Sequence, residues 1–242
     1  MDEKSLKTSW KQRILIIIIA VIMLGSVIIG YALIVANGNN SNTASDTKID
    51  QAKLEQYEAA YQAAEDEFAV LAQGDFDRFI QHKDKMTAYN EGSANSGGVQ
   101  IEDVEVGTGA EIGENDKNYL AYYVGWCADE SVFDSSFNDK SKPTKFTKIL
   151  DASVGMIEGW NLGVTGMKRD GIRIITIPGE LAYGESLEIC GGKNKPLKFM
   201  IMTKAKEGDI VDAYTKLDKA YMNMQAYAQY GVDYDTLMKM GE

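Results

Sequence analysis

The chain has 242 residues, enough for one or two domains, and carries 36 acidic against 25 basic residues for a formal net charge of −11. This balance argues against a nucleic-acid partner, because holding phosphates needs clustered Lys and Arg; it reads as a solvated acidic surface. One histidine, His82, and two cysteines, Cys127 and Cys190, leave no histidine-based triad, histidine metal site or four-cysteine centre for the domain read below, and no metal or cofactor is expected.

Residues 1–13 carry Lys4, Lys7, Lys11 and Arg13, and no further Lys or Arg occurs until Lys48. Between them, residues 14–36 are apolar apart from Gly25, Ser26, Gly30 and Tyr31. At about 1.5 Å per residue such a helix spans about 34 Å, enough for a bilayer core of about 30 Å. The charge asymmetry predicts a single-pass anchor in the cell membrane, with residues 1–13 in the cytoplasm and everything after Ala36 outside it. The rival is a cleaved signal peptide, whose apolar region would be shorter, about 7 to 15 residues. Residues 37–47 form a polar, extended linker.

Residues 48–90 read as a helical segment. Leu54, Tyr57, Tyr61, Ala64, Phe68 and Leu71 recur at three and four over Lys48–Ala72. Gly74 is expected to stop this helix, and Asp75 to cap a second one from Phe76 to about Tyr89, with Phe76, Phe79, Ile80 and Met86 on its apolar side. Asn90–Gly98 reads as a second linker. At the far end, 209–242 is a helical extension. Its helix runs from Asp209 to about Gln229, with Ile210, Tyr214, Leu217, Tyr221, Met224 and Ala228 in a stripe, and Gly231 ends it. These amphipathic stripes pack on one another within the chain or, in the competing reading, form a homodimer or hold a client.

Between them, strands are predicted at Val99–Val106, Tyr119–Trp126, Lys145–Leu150, Ile172–Ile177 and Leu197–Thr203. Alternation puts Tyr119, Ala121 and Tyr123 on one face of the second strand and Leu120, Tyr122 and Val124 on the other. Ile157, Trp160 and Val164 recur at three and four and mark a short helix. Gly159 and Gly163 in it are poor helix formers, which leaves room for a close approach. No crossover-length helix separates the strands, so an antiparallel sheet with one short helix across it, an α+β fold, is expected. The inward faces offer Tyr123, Phe133, Trp160, Tyr183, Phe199 and Ile157, with Asp134 as the one carboxylate. On composition this set is an ordinary hydrophobic core. Against that, a buried carboxylate and buried phenols need partners.

Several motifs occur in order: Val124-Gly125-Trp126 after a tyrosine-rich strand, Phe133-Asp134-Ser135-Ser136, Ile157-Glu158-Gly159-Trp160, Gly163-Val164 and Leu181-Ala182-Tyr183-Gly184. Over roughly Val104–Glu207 the chain resembles the FKBP-type peptidyl-prolyl cis-trans isomerases. The resemblance implies a sheet wrapped around the short helix over residues 99–207, and an enzyme, a rotamase, that speeds X-Pro isomerisation in protein folding outside the cytoplasm. The alternative is a non-catalytic membrane-tethered chaperone or protein-binding module. It also implies proline-containing polypeptides as substrates and a pocket of Tyr123, Phe133, Asp134, Met156, Ile157, Trp160, Tyr183 and Phe199. In that pocket Trp160 is the floor, the Ile157 N–H and the Tyr183 hydroxyl bind substrate carbonyls, and Asp134 accepts a hydrogen bond from Tyr123. Phe146 is a candidate further wall, at a longer spacing from Trp160 than usual. Met156 stands where the family often has valine, and Asp170 where it often has glycine. The loop Glu185–Lys195 departs most, with Cys190-Gly191-Gly192 in place of isoleucine and prolines. The resemblance puts Cys127 and Cys190 near one rim of the pocket. If the domain faces an oxidising exterior they are candidates for a disulfide that pins this loop; otherwise they are two free buried thiols.

Overall fold

The computed structural model describes residues 49–240. The tail 1–13, the predicted anchor 14–36 and the linker 37–47 lie outside the described residues. Among the described residues no helix is long and apolar enough to cross a membrane. The described residues form two compact units, one from 49–64 and 216–240, and a central one, Glu65–Thr215. In order the elements are α1 (Gln51–Ile80), α2 (Glu91–Asn95), β1 (Gln100–Glu105), β2 (Tyr119–Trp126), β3 (Val132–Ser135), β4 (Leu150–Asp151), α3 (Glu158–Val164), β5 (Ile172–Ile177), β6 (Leu197–Ala205), α4 (Asp209–Tyr230) and α5 (Tyr234–Met240).

The central unit is an antiparallel sheet in the order β1-β5-β6-β2-β3, with β4 paired to β2. Residues directly opposite in such a sheet share a face. Gly125, Phe199 and Ile175 stand in one row across β2, β6 and β5, and Tyr123, Ile201 and Arg173 in the next. Every residue of β2 and of β5 is buried, Arg173 and Thr176 included, the mark of a sheet covered on both sides. Helix α3 covers one face. The other is covered by the later part of α1: Phe68 meets Tyr122 at 6.2 Å, and Phe76 and Phe79 meet Phe146 edge-on at 5.4 and 5.5 Å.

One expectation fails here: within the helical segment 48–90, Gly74 does not end the first helix, and α1 runs on to Ile80 with its part from Glu65 packed in the central unit. A glycine inside a helix costs about 1 kcal/mol, whereas burying one large apolar side chain stabilises by about 2 kcal/mol. Phe68, Ala72, Phe76 and Phe79, on either side of Gly74, are all buried. The expected linker after Tyr89 also contains α2, capped by the Asn90 side chain, which accepts from Ser93 N at 2.9 Å. The predicted strand Lys145–Leu150 shrinks to β4. Its first half pairs locally instead: Thr147 N donates to Ser136 O at 2.9 Å and Asn138 N to Lys145 O at 3.1 Å.

In the terminal unit α1 and α4 meet within the chain, through Tyr61 and Tyr221 of the predicted stripes and through Tyr227, one position outside its stripe. Tyr57 packs on Tyr227 at 5.1 Å between ring centres and Tyr61 on Tyr221 at 5.8 Å. Lys53 lies 5.0 Å over the Tyr227 ring, and the Tyr227 hydroxyl accepts from Asp50 N at 3.2 Å. Gly231, with φ of 71°, takes the left-handed conformation that ends α4.

Candidate functional site

Helix α3 lies close against β5 because two of its residues have no side chain. A Cβ at Gly163 would come within 2.7 Å of Ile175 Cγ2, and one at Gly159 would collide with Ile177. The seven-residue helix is thereby seated on the sheet with Trp160 fully enclosed, at 1% exposure. Around the indole stand Phe199 at 5.3 Å and Tyr123 at 5.8 Å, both edge-on, and Phe133 stands edge-on to Phe199 at 5.5 Å. Such edge-to-face pairs suit the ring quadrupoles. Phe133, Met156, Ile157 and Tyr183 are only half-buried and pack on this cluster. The arrangement is a bowl: a closed aromatic floor under a partly open rim. Gly125 is part of it, because a Cβ there would sit 2.6 Å from Phe133 Cζ and 2.8 Å from Phe199 Cε1.

Asp134 stands beside the bowl with every oxygen engaged. Oδ1 accepts from Ser135 N at 2.9 Å and from Lys148 Nζ at 2.7 Å, and Oδ2 accepts from the Tyr123 hydroxyl. The Lys148 ammonium also lies 5.5 Å over the Tyr123 ring. Burial, then the Asp134 charge, pushes the Tyr123 phenol well above its ordinary value. The same two causes raise Tyr183. Both hydroxyls are therefore protonated donors at neutral pH. The Tyr183 hydroxyl and the Ile157 N–H, both at the rim, donate to no group among the described residues.

Seven of the eight predicted pocket residues thus meet in one cluster, and Asp134 is bonded to a member of it. Phe146 does not join them. It lies on the opposite face of the sheet, stacked on Tyr122 at 4.2 Å and on Phe137 at 5.7 Å. It follows Tyr122, not Tyr123, because the loop that carries it pairs back on Ser136 and Asn138 and turns it under α1.

Three further residues shape the site. Trp160 Nε1 donates to the Tyr119 hydroxyl at 3.0 Å, both groups buried. Arg173, nearly buried, donates through Nη1 to the carbonyls of Gly163 and Thr165 at 3.0 and 3.1 Å, and through Nε and Nη2 to Asp103 at 2.6 and 3.1 Å. Lys148 is the third. Alternation along β2 already placed Tyr119 on the face of Tyr123, and Arg173 is the one charge in an apolar strand. Neither signal named a partner. Cys127 and Cys190 are joined by a disulfide with their Cα atoms 5.4 Å apart. It ties the end of β2 to the loop Glu185–Lys195, where Ile189 and Cys190 pack on the cluster.

The family model for FKBP-type peptidyl-prolyl cis-trans isomerases matches residues 109–226. An FK506-binding protein of Neisseria meningitidis serogroup B is 40% identical over 89 residues, which are 36% of this chain and 76% of that protein. The chain belongs to the FKBP-type peptidyl-prolyl cis-trans isomerase family. The 39 kDa FK506-binding nuclear protein of Drosophila melanogaster is 38% identical over 112 residues, 46% of this chain and 30% of that one. FK506-binding protein 3 of Yarrowia lipolytica is 46% identical over 92 residues, 37% of this chain and 20% of its own length. The match to the fly and yeast proteins thus spans under a third of their length. The chain is an isomerase of this class, and the family match takes in every residue of the bowl.

Proposed function

We propose that this FKBP-type isomerase speeds X-Pro isomerisation in polypeptides outside the cytoplasm and so assists their folding, with the bowl as its active site. The observation that carries the reading is the pairing of a buried indole floor with two unengaged donors at the rim, the Ile157 N–H and the Tyr183 hydroxyl. An X-Pro bond rotates over a barrier of about 18–20 kcal/mol, set by amide resonance. That resonance separates charge and is favoured by water, and it is lost in the twisted transition state. An apolar bowl that takes the prolyl ring onto Trp160 removes the water, so the planar ground state loses more than the twisted one. Each 1.36 kcal/mol removed from the barrier is a tenfold gain in rate.

The Ile157 N–H and the Tyr183 hydroxyl take the carbonyls flanking the prolyl bond and hold the chain while the bond turns. Asp134, locked by Lys148 and Ser135, fixes the Tyr123 ring as one wall. No proton moves and no covalent step occurs, in keeping with tyrosines held protonated and a carboxylate with no vacant oxygen. An oxidising compartment is supported by the Cys127–Cys190 bridge, since such bonds persist outside the cytoplasm. Membrane attachment is supported by the apolar run 14–36 behind Lys4, Lys7, Lys11 and Arg13.

The test is a proline-peptide isomerisation assay on the full chain in detergent. The wild type should be active, and Trp160→Ala with Asp134→Val should reduce the rate towards the uncatalysed value. Activity unchanged in that double variant would place the site elsewhere. Peptide binding by the wild type without turnover would mark a protein-binding module.

A further inference from the structure

We infer that Tyr119 is a positioning residue for isomerisation: its hydroxyl sets the tilt of the Trp160 indole, and through it how firmly a prolyl ring is held. The inference rests on the reading of the bowl as the isomerase site, and it concerns a residue outside the bowl's lining.

The backbone under Trp160 has little freedom. Gly159 and Gly163 let α3 rest on Ile177 and Ile175. Arg173 holds the carbonyls of Gly163 and Thr165 while anchored on Asp103 in β1. What stays adjustable is the rotation of the indole about its own side-chain bonds. The rings of Tyr123 and Phe199 meet it edge-on, at interplanar angles of 86° and 79°. Edge-to-face contacts of this kind favour the present tilt by about 0.5–1.5 kcal/mol each, beyond the area they bury. The hydrogen bond from Trp160 Nε1 to the Tyr119 oxygen, at 3.0 Å, is the contact that fixes where the indole N–H points. It lies at the closed end of the bowl, with Tyr119 at 0% and Trp160 at 1% exposure, so water has no ready access to replace it.

Tyr119 is itself fixed. It opens β2, paired to Ala205 of β6, and burial raises its phenol to about 12, so at working pH it is neutral and its oxygen accepts. Without that oxygen, the buried indole N–H has no partner where it stands and gains one only by turning towards the open rim. The floor under the prolyl ring then tips. The loss falls on substrate binding first, because the bowl's walls and its two rim donors are untouched.

A double-mutant cycle on the full chain tests this, with Tyr119→Phe, Trp160→Phe and the pair, each assayed for isomerase activity and thermal stability. Trp160→Phe keeps an aromatic floor but has no N–H to orient. Tyr119→Phe alone should lower kcat/KM about tenfold, chiefly through KM. Added to Trp160→Phe it should change kcat/KM less than twofold, because the interaction it removes is already gone. A residue that only supports the fold would cost the same in both backgrounds, and equal costs, or no cost, would overturn the inference. The indole resonance of Trp160 should shift in Tyr119→Phe, while that of Trp126, which donates to Thr87 O at 3.1 Å, stays. If Tyr119→Phe does not fold, the wild type decides. The Trp160 indole N–H should stay protected from solvent exchange when a short proline peptide saturates the site, and loss of protection overturns the inference. A wild type without activity would instead refute the isomerase reading of the bowl, a separate failure from an additive cycle in an active enzyme.

Discussion

Replacing Cys127 and Cys190 with alanine together should destabilise the central unit by about 4 kcal/mol. The bridge joins residues 63 apart. On the chain-entropy account, a cross-link closing a loop of that length removes freedom from the unfolded chain worth about 4 kcal/mol at 25 °C. For a unit of this size each kcal/mol moves the thermal midpoint by about 2–4 °C, so a fall of about 8–16 °C is expected. The folded site should survive below the new midpoint. The loop's base is held independently by Asn194 N donating to Gly184 O at 2.7 Å, and Gly184 N donates to Gly179 O at 2.9 Å, which keeps Tyr183 in place. Turnover of a short proline peptide at 25 °C should therefore remain close to wild type while the melting curve moves. The assay is calorimetry or circular dichroism of the double variant beside the oxidised wild type, with reductant as a second route to the same state. A fall of less than about 2 °C would refute the entropic argument. Turnover lost in step with the bridge would show that the bridge, rather than the loop's own hydrogen bonds, holds the rim.

The two helical glycines should respond in opposite directions. Gly74→Ala places its Cβ in open space and should stabilise by about 1 kcal/mol in denaturant unfolding. Gly163→Ala drives a methyl into Ile175, should destabilise by about 1–3 kcal/mol, and should raise KM by lifting Trp160 off the sheet. Asp134→Val leaves Tyr123 and Lys148 without their acceptor, and unfolding should register a loss of about 1–3 kcal/mol with a reduced kcat/KM. Acid should weaken the fold through Glu105. Burial pushes this carboxyl up, but hydrogen bonds from His82 and Arg78 outweigh it and hold it below its ordinary 4.5. A depressed folded value means the contribution is present above about 4.5 and is lost as pH falls through the folded value, so Glu105→Gln should flatten the acid limb of a stability–pH curve. Activity, by contrast, should be flat from about pH 6 to 9, since Tyr123 and Tyr183 are both raised and stay protonated; a bell-shaped profile would argue for acid–base chemistry.

The parts of the fold legible in the sequence are those decided by neighbours along the chain. Ile172–Ile177 and Tyr119–Trp126 announce themselves by β-branched and aromatic runs, and α3 by the spacing of Ile157, Trp160 and Val164. Alternation also assigned Tyr119 and Tyr123 to a common face. It could not say which face held the site, because both faces are buried and both are lined with rings. Phe146 stands at a longer spacing from Trp160 than the family usually shows, and the loop that carries it turns it onto Tyr122. Continuity of α1 through Gly74 is illegible because the local penalty is visible in the sequence, while the burial that outweighs it comes from Tyr122, Phe137 and Phe146, more than 40 residues further on.

Arg173 shows where the boundary between the two kinds of information lies. It is the one charged residue among Ile172–Ile177, in a strand buried throughout. A guanidinium there must be paired or it would unfold the strand, so the sequence already demanded a set of partners without naming them. The structure supplies Asp103 on the neighbouring strand and the carbonyls of Gly163 and Thr165 at the end of α3. Those carbonyls carry the negative end of the helix dipole and, at a buried helix end, need a donor. The charge that looks misplaced in the strand therefore closes the helix that carries the floor of the site, and the two anomalies, a buried cation and a short helix with two glycines, resolve each other. Arg173→Met should separate the roles. It keeps the bulk and removes both sets of hydrogen bonds; Asp103, 43% exposed, is left to water, so the loss of about 1–3 kcal/mol comes from the carbonyls of Gly163 and Thr165 left without a donor. KM should rise as α3 loosens. A variant with the stability loss but an unaltered KM would confine Arg173 to the strand and break the link to the floor.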